Sequence, residues 1–273
     1  MQPRDEHLPS PEQPLDADGF RRAGHALVDW IAEYRERISE RPVAHLPSPG
    51  AIRAKLPSRA PEHGESMATI LADLDAVVMP GIVHWQHPGW FAYFPANSSY
   101  ESILGELASA GLGVQGMLWS TSPACTEIET HVLDWLVHAM GLPERFLSEG
   151  GSAMTPREPN GERRGGGVLQ DTASSAALVA LVAARERATT FATDARGVGA
   201  FGRSIVVYTS DQAHSSIEKA ARLAGLGKEF VRLIPVDETG AMRIDLLEEA
   251  IARDRDAGHL PAFVSATIGT TGV

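Results

Sequence analysis

The sequence predicts an α/β fold, in which a mainly parallel sheet is flanked by helices and a smaller helical unit precedes the sheet. From about residue 167 onward, short apolar runs alternate with longer helical segments, which is typical of helices that connect parallel strands. Before about residue 80, the apolar residues instead recur at helical spacing. With 273 residues, 43% of them hydrophobic, the chain is long enough for one large domain and a smaller appendage.

The first 99 residues contain two predicted helices and little else that packs. Residues 1–18 are rich in proline and charge and predict a flexible leader. Apolar side chains then follow helical spacing in two stretches, namely Phe20, Leu27, Ile31, Tyr34 and Ile38, and Met67, Ile70, Leu71, Leu74, Val77 and Val78. Two helices joined by a proline-rich connector make a poor core by themselves. We therefore expect residues 19–99 to be a helical dimerisation unit that packs on a second subunit.

Residues 100–273 predict a larger domain that contains the sheet. Ser122 is a candidate N-cap, Pro123 suits the first helical position, and this helix is expected to end near Gly141. The glycine-, proline- and charge-rich residues 148–166 predict a surface loop. After the loop we expect strands at 167–170, 204–208, 230–236 and 261–268, and helices at 174–188, 214–224 and 245–256. Each of these helices would connect two parallel strands, so that helices cover both faces of the sheet.

Composition and charge exclude several classes of protein. The formal net charge is −11, which argues against binding to the phosphate backbone of a nucleic acid. The longest apolar run, 176–184, is too short to span a membrane, and the N-terminus lacks the apolar core of a signal peptide. We therefore expect a cytoplasmic protein with no nucleic-acid or membrane partner. Cys125 is the only cysteine, which excludes an internal disulfide.

No metal site is expected from the sequence. His84 and His87 are three residues apart, but no carboxylate pattern accompanies them, which favours a structural role. Glu127 and Glu129 are interpreted as charges near the positive start of a helix, and His131 as an imidazole on the helix surface.

Ligands bind to open parallel sheets at the carboxyl ends of the strands, and three such ends carry polar residues. At the first end, the stretch QDTASSAAL opens a helix after Gln170. The unpaired N–H groups of the first helical turn would hold a phosphate there, and the small Ala173 would let the anion approach the backbone. For this stretch alone, a simple N-cap role of Thr172 or Ser174 is an equally good interpretation.

The other two strand ends carry an imidazole and a group of hydroxyls. In the stretch SDQAHSS, Ser215 and Glu218 predict a capping box, so that a helix begins at or just after His214. His214 is then either a polar residue at a helix start or a flat ring that stacks on an aromatic ligand. The third end, ATIGTTG, carries Thr267, Thr270 and Thr271, which either contact a ligand or serve the turn. Together the three ends predict a ligand that is both phosphorylated and aromatic.

The sequence resembles the group II decarboxylases that depend on pyridoxal 5′-phosphate (PLP), in particular the aromatic-L-amino-acid decarboxylases. The stretches that carry the resemblance are, in order, HPGWFAYFPANSSY, SPACTEIE, GGGVLQDTASSAALVALVAARERA, SDQAHSSIEKA, IPVD followed by AMR, and ATIGTTG. The resemblance as a whole covers nearly all of the chain from about residue 20 to its end, apart from 148–166. The resemblance implies the type I aminotransferase-like fold, PLP as cofactor, an amino acid as substrate, and a homodimer. Residues 100–273 would be the first, incomplete part of the large PLP-binding domain.

The resemblance also assigns roles to individual residues. Ala173 and Ser174 would bind the phosphate of PLP. His214 would be the catalytic residue that stacks on the pyridine ring, and Thr271 would contact the cofactor beside it. The substrate pocket would contain Trp85, Tyr93, Phe94, Pro95, Ala96 and Asn97. The aromatic members of this set suit an aromatic substrate, although core packing is the alternative interpretation of Trp85 and Tyr93.

Two departures from the family pattern affect the expected function. Familiar animal members have a threonine associated with the substrate carboxylate after the Phe-Pro pair, whereas this chain has Ala96 followed by Asn97, whose amide is a possible replacement donor. The aspartate that pairs with the pyridine nitrogen and the lysine that forms the Schiff base come after the Gly-Thr-Thr segment in the family, and this chain stops at Val273. We therefore expect residues 1–273 alone to be inactive.

The resemblance predicts a carboxy-lyase that converts an L-amino acid, of aromatic type, to its amine and carbon dioxide. Two alternatives stay open at this point. One is an aromatic aldehyde synthase of the same fold, and the other is a non-catalytic remnant or interaction protein. The identity of the amino acid also stays open.

Overall fold

The computed structural model describes residues 15–94, 98–148 and 165–269. The chain divides between Ser98 and Ser99 into two compact units, which are described separately. Most of the predicted leader at 1–18 lies outside the described residues. Ala17 and Asp18 already belong to the first helix, so the predicted leader is two residues too long. Most of the loop predicted at 148–166 also lies outside the described part.

The first unit contains the two predicted helices. Helix α1 (Ala17–Glu36) begins after Asp16, whose carboxylate accepts a hydrogen bond from the N–H of Gly19 at 2.7 Å. Helix α2 (Met67–Asp73) begins after Ser66, whose hydroxyl accepts from the N–H of Thr69 at 3.1 Å. It continues as a π-helical turn and then a 3₁₀ turn that ends at Gly81. The predicted helical spacing therefore corresponds to real helices in both stretches.

Two further helices open the second unit. Helix α3 (Tyr100–Leu112) begins with reciprocal hydrogen bonds between Ser99 and Ser102. Helix α4 (Pro123–Ala139) has the predicted N-cap, because the Ser122 hydroxyl accepts from the N–H of Cys125 at 3.4 Å. Proline at the first helical position loses no hydrogen bond, since the N–H groups of the first turn have no helical partner.

The sheet of the second unit has three parallel strands among the described residues. The remaining elements are, in chain order, α5 (Ala173–Ala188), α6 (Ala192–Arg196), β1 (Ile205–Ser210), α7 (Ser216–Leu223), β2 (Val231–Ile234), α8 (Ile244–Asp256) and β3 (Leu260–Ser265). The strand order is β2-β1-β3, so β1 lies in the middle. Helix α7 connects β1 to β2, and α8 connects β2 to β3. The predicted class, a parallel sheet flanked by helices, is confirmed.

The strand predicted at 167–170 is wrong. These residues form no ladder with another strand in the described parts of the chain. The backbone N–H of Leu169 instead donates to the carboxylate of Glu129 on α4, at 2.6 Å. A short apolar run has the same pattern whether its backbone pairs with a strand or with a side chain, so periodicity could not separate the two cases.

Strand β1 is buried along its whole length and packs on both faces. On one face, Ile205 and Val207 contact α5 and α7 in an apolar cluster that includes Leu181. On the other face, Val206 and Tyr208 belong to a cluster with α8. Each large apolar side chain buried here contributes about 1.5–3 kcal/mol relative to exposure. This packing holds the helices at fixed positions along the sheet.

A buried carboxylate joins α8 to two strands. Asp254 of α8 accepts hydrogen bonds from the Tyr208 hydroxyl at 2.8 Å and from Arg232 Nε at 3.0 Å and Nη2 at 2.5 Å. Burial raises the pKa of Tyr208, and the carboxylate of Asp254 raises it further. For Asp254, burial would raise the pKa, but the hydrogen bonds from Arg232 and Tyr208 outweigh burial and hold it below its usual value. Asp254 is therefore ionised and fully paired at neutral pH.

Candidate functional site

The carboxyl ends of the three strands meet at one edge of the sheet. There, Ser210, Gln212, Thr239, Gly240, Ala241, Met242, Thr267 and Gly269 line a cleft of about 260 Å³. The N–H of Asp211 donates to the carbonyl of Ile234 at 3.0 Å, which ties the end of β1 to the end of β2. Asp237 accepts from the N–H groups of Thr239 and Ala241 at 2.8 and 3.0 Å and so shapes the turn on one side of the cleft. Hydroxyl and amide groups therefore surround an open space where parallel sheets bind ligands.

The start of α5 presents exposed backbone donors. Thr172 is the N-cap, and its hydroxyl accepts from the N–H of Ser175 at 3.1 Å. The N–H groups of Ala173 and Ser174 have no hydrogen-bond partner among the described residues, and both residues are exposed. The carboxylate of Asp171 also lies at this end of the helix, where it accepts from the Ser175 hydroxyl. Because the Asp171 carboxylate accepts from this hydroxyl and not from the backbone, the N–H groups of Ala173 and Ser174 stay open to an anion.

Helices α5 and α7 pack against each other on the same side of β1. Arg185, in the last turn of α5, donates to the carbonyl of Ala224 just after α7, at 2.7 Å, so the carboxyl-terminal ends of the two helices meet. Two packed helices whose last turns meet in this way run in the same direction. Since α7 follows β1, the starts of both helices lie toward the carboxyl edge of the sheet.

His214 forms the cap of α7. Its Nδ1 accepts a hydrogen bond from the backbone N–H of Ser216 at 3.2 Å. The capping box predicted for Ser215 and Glu218 is wrong, because the side chain of Ser215 makes no cap hydrogen bond. The imidazole of His214 instead accepts from the N–H of Ser216, the first residue of α7, and this hydrogen bond orients the ring at the end of β1. His214 itself is exposed.

The first unit groups three aromatic rings from one short segment. The ring of Trp85 lies 5.9 Å from that of Tyr93, at an interplanar angle of 17°, and 5.2 Å from that of Trp90. Tyr93 has a positive φ of 58°, which turns the backbone so that its ring faces back to Trp85. Phe94 is 70% exposed. The structure therefore brings together Trp85 and Tyr93 from the predicted pocket and adds Trp90, which the sequence analysis did not single out.

His84 anchors this aromatic segment to α1. Its ring Nδ1 is hydrogen-bonded to the Tyr34 hydroxyl at 2.9 Å, and its backbone N–H donates to the backbone carbonyl of Val43 at 3.1 Å. Burial lowers the pKa of His84, and the nearby charge of Arg41 lowers it further, so the ring is neutral at pH 7. Within the described residues, no group of three or more His, Cys, Asp and Glu side chains is arranged to hold a metal ion.

Four of the predicted site residues lie outside the described parts of the chain. They are Thr271, from the predicted cofactor site, and Pro95, Ala96 and Asn97, from the predicted substrate pocket. Thr267, which belongs to the same turn segment as Thr271, lines the cleft at the sheet edge.

Three carboxylates of α4 have specific partners that the sequence analysis missed. Glu127 accepts from the indole N–H of Trp119 at 2.8 Å, and Glu129 accepts from the N–H of Leu169. Asp134 accepts from the N–H and hydroxyl of Ser148 at 2.9 and 2.5 Å, and the Ser148 hydroxyl is the main cause of the lowered pKa of this carboxylate. Glu127 and Glu129 lie in the second turn of α4, and each carboxylate also has a specific hydrogen-bond partner. Their partners are distant in sequence, so no local pattern could reveal them.

Comparison with known proteins decides the family. The pyridoxal-dependent decarboxylase conserved domain matches residues 49–273. The chain belongs to the pyridoxal-dependent decarboxylase family. Within any described helix, no stretch is both long and apolar enough to cross a membrane.

Individual relatives of this decarboxylase family extend over almost the whole chain. The aromatic-L-amino-acid decarboxylase of Bos taurus is 44% identical over 94% of this chain and 50% of its own length. The phenylacetaldehyde synthase of Arabidopsis thaliana is 42% identical over 95% of this chain and 50% of its own length. The crystal structure of Catharanthus roseus tryptophan decarboxylase with L-tryptophan is similar with a TM-score of 0.82 and 36% identity, covering 95% of this chain and 52% of that one. The chain thus spans about half the length of these relatives.

The start of α5 fits the phosphate of PLP, the cofactor of this decarboxylase family. Two adjacent N–H groups without partners among the described residues point out of a helix start, where the helix dipole favours an anion. Ala173 contributes only a methyl group at the first position of this helix. No packed side chain covers this end, because residues 171–174 are all exposed.

Proposed function

We propose that this chain supplies the phosphate clamp, the stacking imidazole and part of the substrate pocket of a PLP-dependent decarboxylase that converts an aromatic L-amino acid to its amine and carbon dioxide. The observation that carries the proposal is the open start of α5, where the N–H groups of Ala173 and Ser174 have no hydrogen-bond partner among the described residues. The packing of α5 against α7, which begins just after His214, supports a common site at this edge of the sheet. The similarity to the decarboxylases of Bos taurus and Catharanthus roseus supports this reaction type.

The residues of this chain hold and orient the cofactor. When bound, PLP withdraws electrons from the α-carbon of the substrate, which allows the bond to the carboxylate to break. The N–H groups of Ala173 and Ser174, with the Ser174 hydroxyl, would bind the phosphate, and Thr271 would contact the cofactor beside the ring. Because Nδ1 of His214 accepts from Ser216, the neutral imidazole carries its proton on Nε2. This hydrogen bond holds the ring in one orientation for stacking on the pyridine.

We assign recognition of the substrate side chain to Trp85, Tyr93 and Phe94, together with Pro95, Ala96 and Asn97. The nearly parallel rings of Trp85 and Tyr93 form a flat apolar wall, and aromatic pairs in offset or edge arrangements gain about 0.5–1.5 kcal/mol beyond area burial. The amide of Asn97 would be a donor to the substrate carboxylate. An aliphatic or acidic side chain would gain little from such a wall.

An aromatic aldehyde synthase is the second candidate function. It is favoured by the similarity to the phenylacetaldehyde synthase of Arabidopsis thaliana, which is close to that for the decarboxylase of Bos taurus. Such an enzyme would consume dioxygen and water and would release carbon dioxide, ammonia and hydrogen peroxide together with the aldehyde. The phosphate clamp and the aromatic wall would serve both reactions equally.

Product analysis separates these candidates. The intact gene product, reconstituted with PLP, is supplied with L-tryptophan, L-tyrosine, L-phenylalanine or L-DOPA, and with L-glutamate as a non-aromatic comparison. We expect equal amounts of amine and carbon dioxide from at least one aromatic substrate, without uptake of oxygen. Aldehyde and hydrogen peroxide in equal amounts would favour the synthase. A protein that neither binds PLP nor forms any product would be a non-catalytic relative.

We also propose that the protein is a homodimer whose interface includes α1. Phe20 and Leu27 of the apolar stripe on α1 remain 59% and 37% exposed, and contiguous exposed apolar surface is typical of an interaction site. Sedimentation velocity at micromolar concentration is expected to give a dimer, and Phe20→Asp is expected to shift it towards the monomer. A wild-type protein that sediments as a monomer would contradict this assignment.

A further inference from the structure

The segment that leads into α5, residues 165–170, is held by α4 and by the turn that follows α4. The N–H of Gly166 donates to the carbonyl of Phe146 at 2.8 Å. Gly167 lies against Leu133 of α4 so closely that a Cβ at this position would be 3.1 Å from Leu133 Cδ1. The N–H of Leu169 donates to Glu129 Oε1 at 2.6 Å. The path of the segment is therefore set by contacts with one helix and its following turn.

The contact with Glu129 is the last of these before the proposed phosphate site. Leu169 is 64% exposed, so burial of its side chain does not fix its position. A backbone N–H bonded to a carboxylate makes a short, charge-assisted hydrogen bond, which is about twice as strong as one between neutral groups. Only three residues separate Leu169 from Ala173. A shift of the backbone at Leu169 therefore moves the N–H groups at the start of α5.

Glu127 shows that this role is specific to one carboxylate. It lies two residues before Glu129 on the same helix, but its carboxylate accepts from the indole N–H of Trp119 and from no described residue of the 165–170 segment. Glu129 is half-buried, whereas Glu127 is exposed. The two residues share charge and helix and lie in the same helical turn, and they differ in the group that each one binds.

We propose that Glu129 is a positioning residue for the phosphate of PLP. Its carboxylate fixes the backbone at Leu169, and this places the N–H groups of Ala173 and Ser174 where they converge on one anion. Glu129 itself does not touch the cofactor. This inference rests on the proposed function, because it takes the start of α5 as the phosphate site.

The test compares two ligands that differ only in the phosphate, pyridoxine 5′-phosphate and pyridoxine. Neither has an aldehyde, so neither reacts with lysine. Their dissociation constants are measured by quenching of tryptophan fluorescence for wild type, Glu129→Ala, Glu129→Gln and the matched control Glu127→Ala. Thermal unfolding of each variant shows whether it is folded.

Glu129→Ala is expected to weaken binding of pyridoxine 5′-phosphate about 10-fold, because one charge-assisted hydrogen bond to the backbone is lost, and to leave binding of pyridoxine unchanged. Glu129→Gln keeps an oxygen acceptor and is expected to restore most of the affinity. Glu127→Ala is expected to match wild type. A general loss of structure would instead weaken binding of both ligands, and Glu129→Gln would not restore the affinity.

Gly167→Ala keeps the inference testable if Glu129→Ala does not fold. The added methyl group would press on Leu133 and displace the same segment, so we expect a smaller loss of phosphate-ligand affinity, about 3-fold. Gly199→Ala is its control, because a Cβ there meets no atom within 4 Å. Unchanged affinity in Glu129→Ala, or in Gly167→Ala where the former is unfolded, would overturn the inference, as would equal weakening of both ligands. A wild-type protein that binds the two ligands equally would instead overturn the proposed phosphate site.

Discussion

Asp254→Ala is expected to lower the free energy of unfolding by about 3–4 kcal/mol, because it leaves the buried Tyr208 hydroxyl and the guanidinium of Arg232 without their shared acceptor. The side chain of Asp254 is 7% exposed, whereas that of Arg232 is 30% exposed. Water can therefore reach Arg232 in the variant but not Tyr208. Because water partly solvates Arg232, the expected loss lies at the lower end of the range of about 3–5 kcal/mol for removal of one partner of a buried ion pair.

Chemical denaturation of the whole protein measures this change in the free energy of unfolding. Glu249→Ala is the matched control, since Glu249 lies on the same helix and pairs with Arg253 at 3.9 Å with both side chains more than half exposed. An exposed pair of this kind contributes about 0.3–0.5 kcal/mol. Equal losses in the two variants would contradict the role given to the buried carboxylate.

The pH dependence of the same contribution follows from the lowered pKa of Asp254. A carboxylate whose pKa is lower in the folded state stabilises the protein above its unfolded pKa of about 3.9. The contribution is lost as the pH falls through the folded pKa. Wild type should therefore lose more stability than Asp254→Ala when the pH is lowered from 5 to 3.

Ala173→Asp is expected to weaken binding of pyridoxine 5′-phosphate by about 100-fold, which corresponds to about 2.7 kcal/mol. The new carboxylate would lie at the first position of α5, within a few ångströms of the proposed phosphate. A negative charge at the start of a helix also stabilises the helix, by about 0.3–1 kcal/mol. Affinity for the phosphate and stability of the protein should thus change in opposite directions, and unfolding cannot explain such a result.

Ala173→Asn is the control for Ala173→Asp, since it has nearly the same shape without the charge. We expect it to lose much less affinity than the aspartate variant, and neither variant should change binding of pyridoxine. Equal losses with asparagine and aspartate would mean that bulk matters rather than charge. Unchanged affinity in Ala173→Asp would remove the phosphate from the start of α5.

Much of the fold could be predicted because it depends on local signals. The helix that begins at Pro123 has a serine cap and a proline at its first position, and both act within one turn. The fully buried β1 begins with the apolar run 205–208, as expected for a central parallel strand. The location of the proposed cofactor site followed from a general property of parallel sheets, together with the resemblance to a family.

The features that could not be predicted depend on contacts between residues distant in sequence. The residues at 167–170 look like a strand, but a carboxylate from α4 takes the N–H of Leu169. At the start of α7, Ser215 and Glu218 satisfy the rule for a capping box, but the side chain of Ser215 makes no cap hydrogen bond, and the imidazole of His214 accepts from the N–H of Ser216. Trp90 joins the aromatic group because a turn, in which its N–H donates to the carbonyl of His87, brings its ring to 5.2 Å from that of Trp85.

The most direct test of the account is a crystal structure of the protein with PLP bound. We expect phosphate oxygens about 2.7–3.2 Å from the backbone nitrogens of Ala173 and Ser174. The ring of His214 should lie face to face with the pyridine, at a centroid distance of about 4.5 Å or less. A phosphate bound elsewhere while the start of α5 faces only water, or an imidazole that points its edge away from the pyridine, would contradict the account.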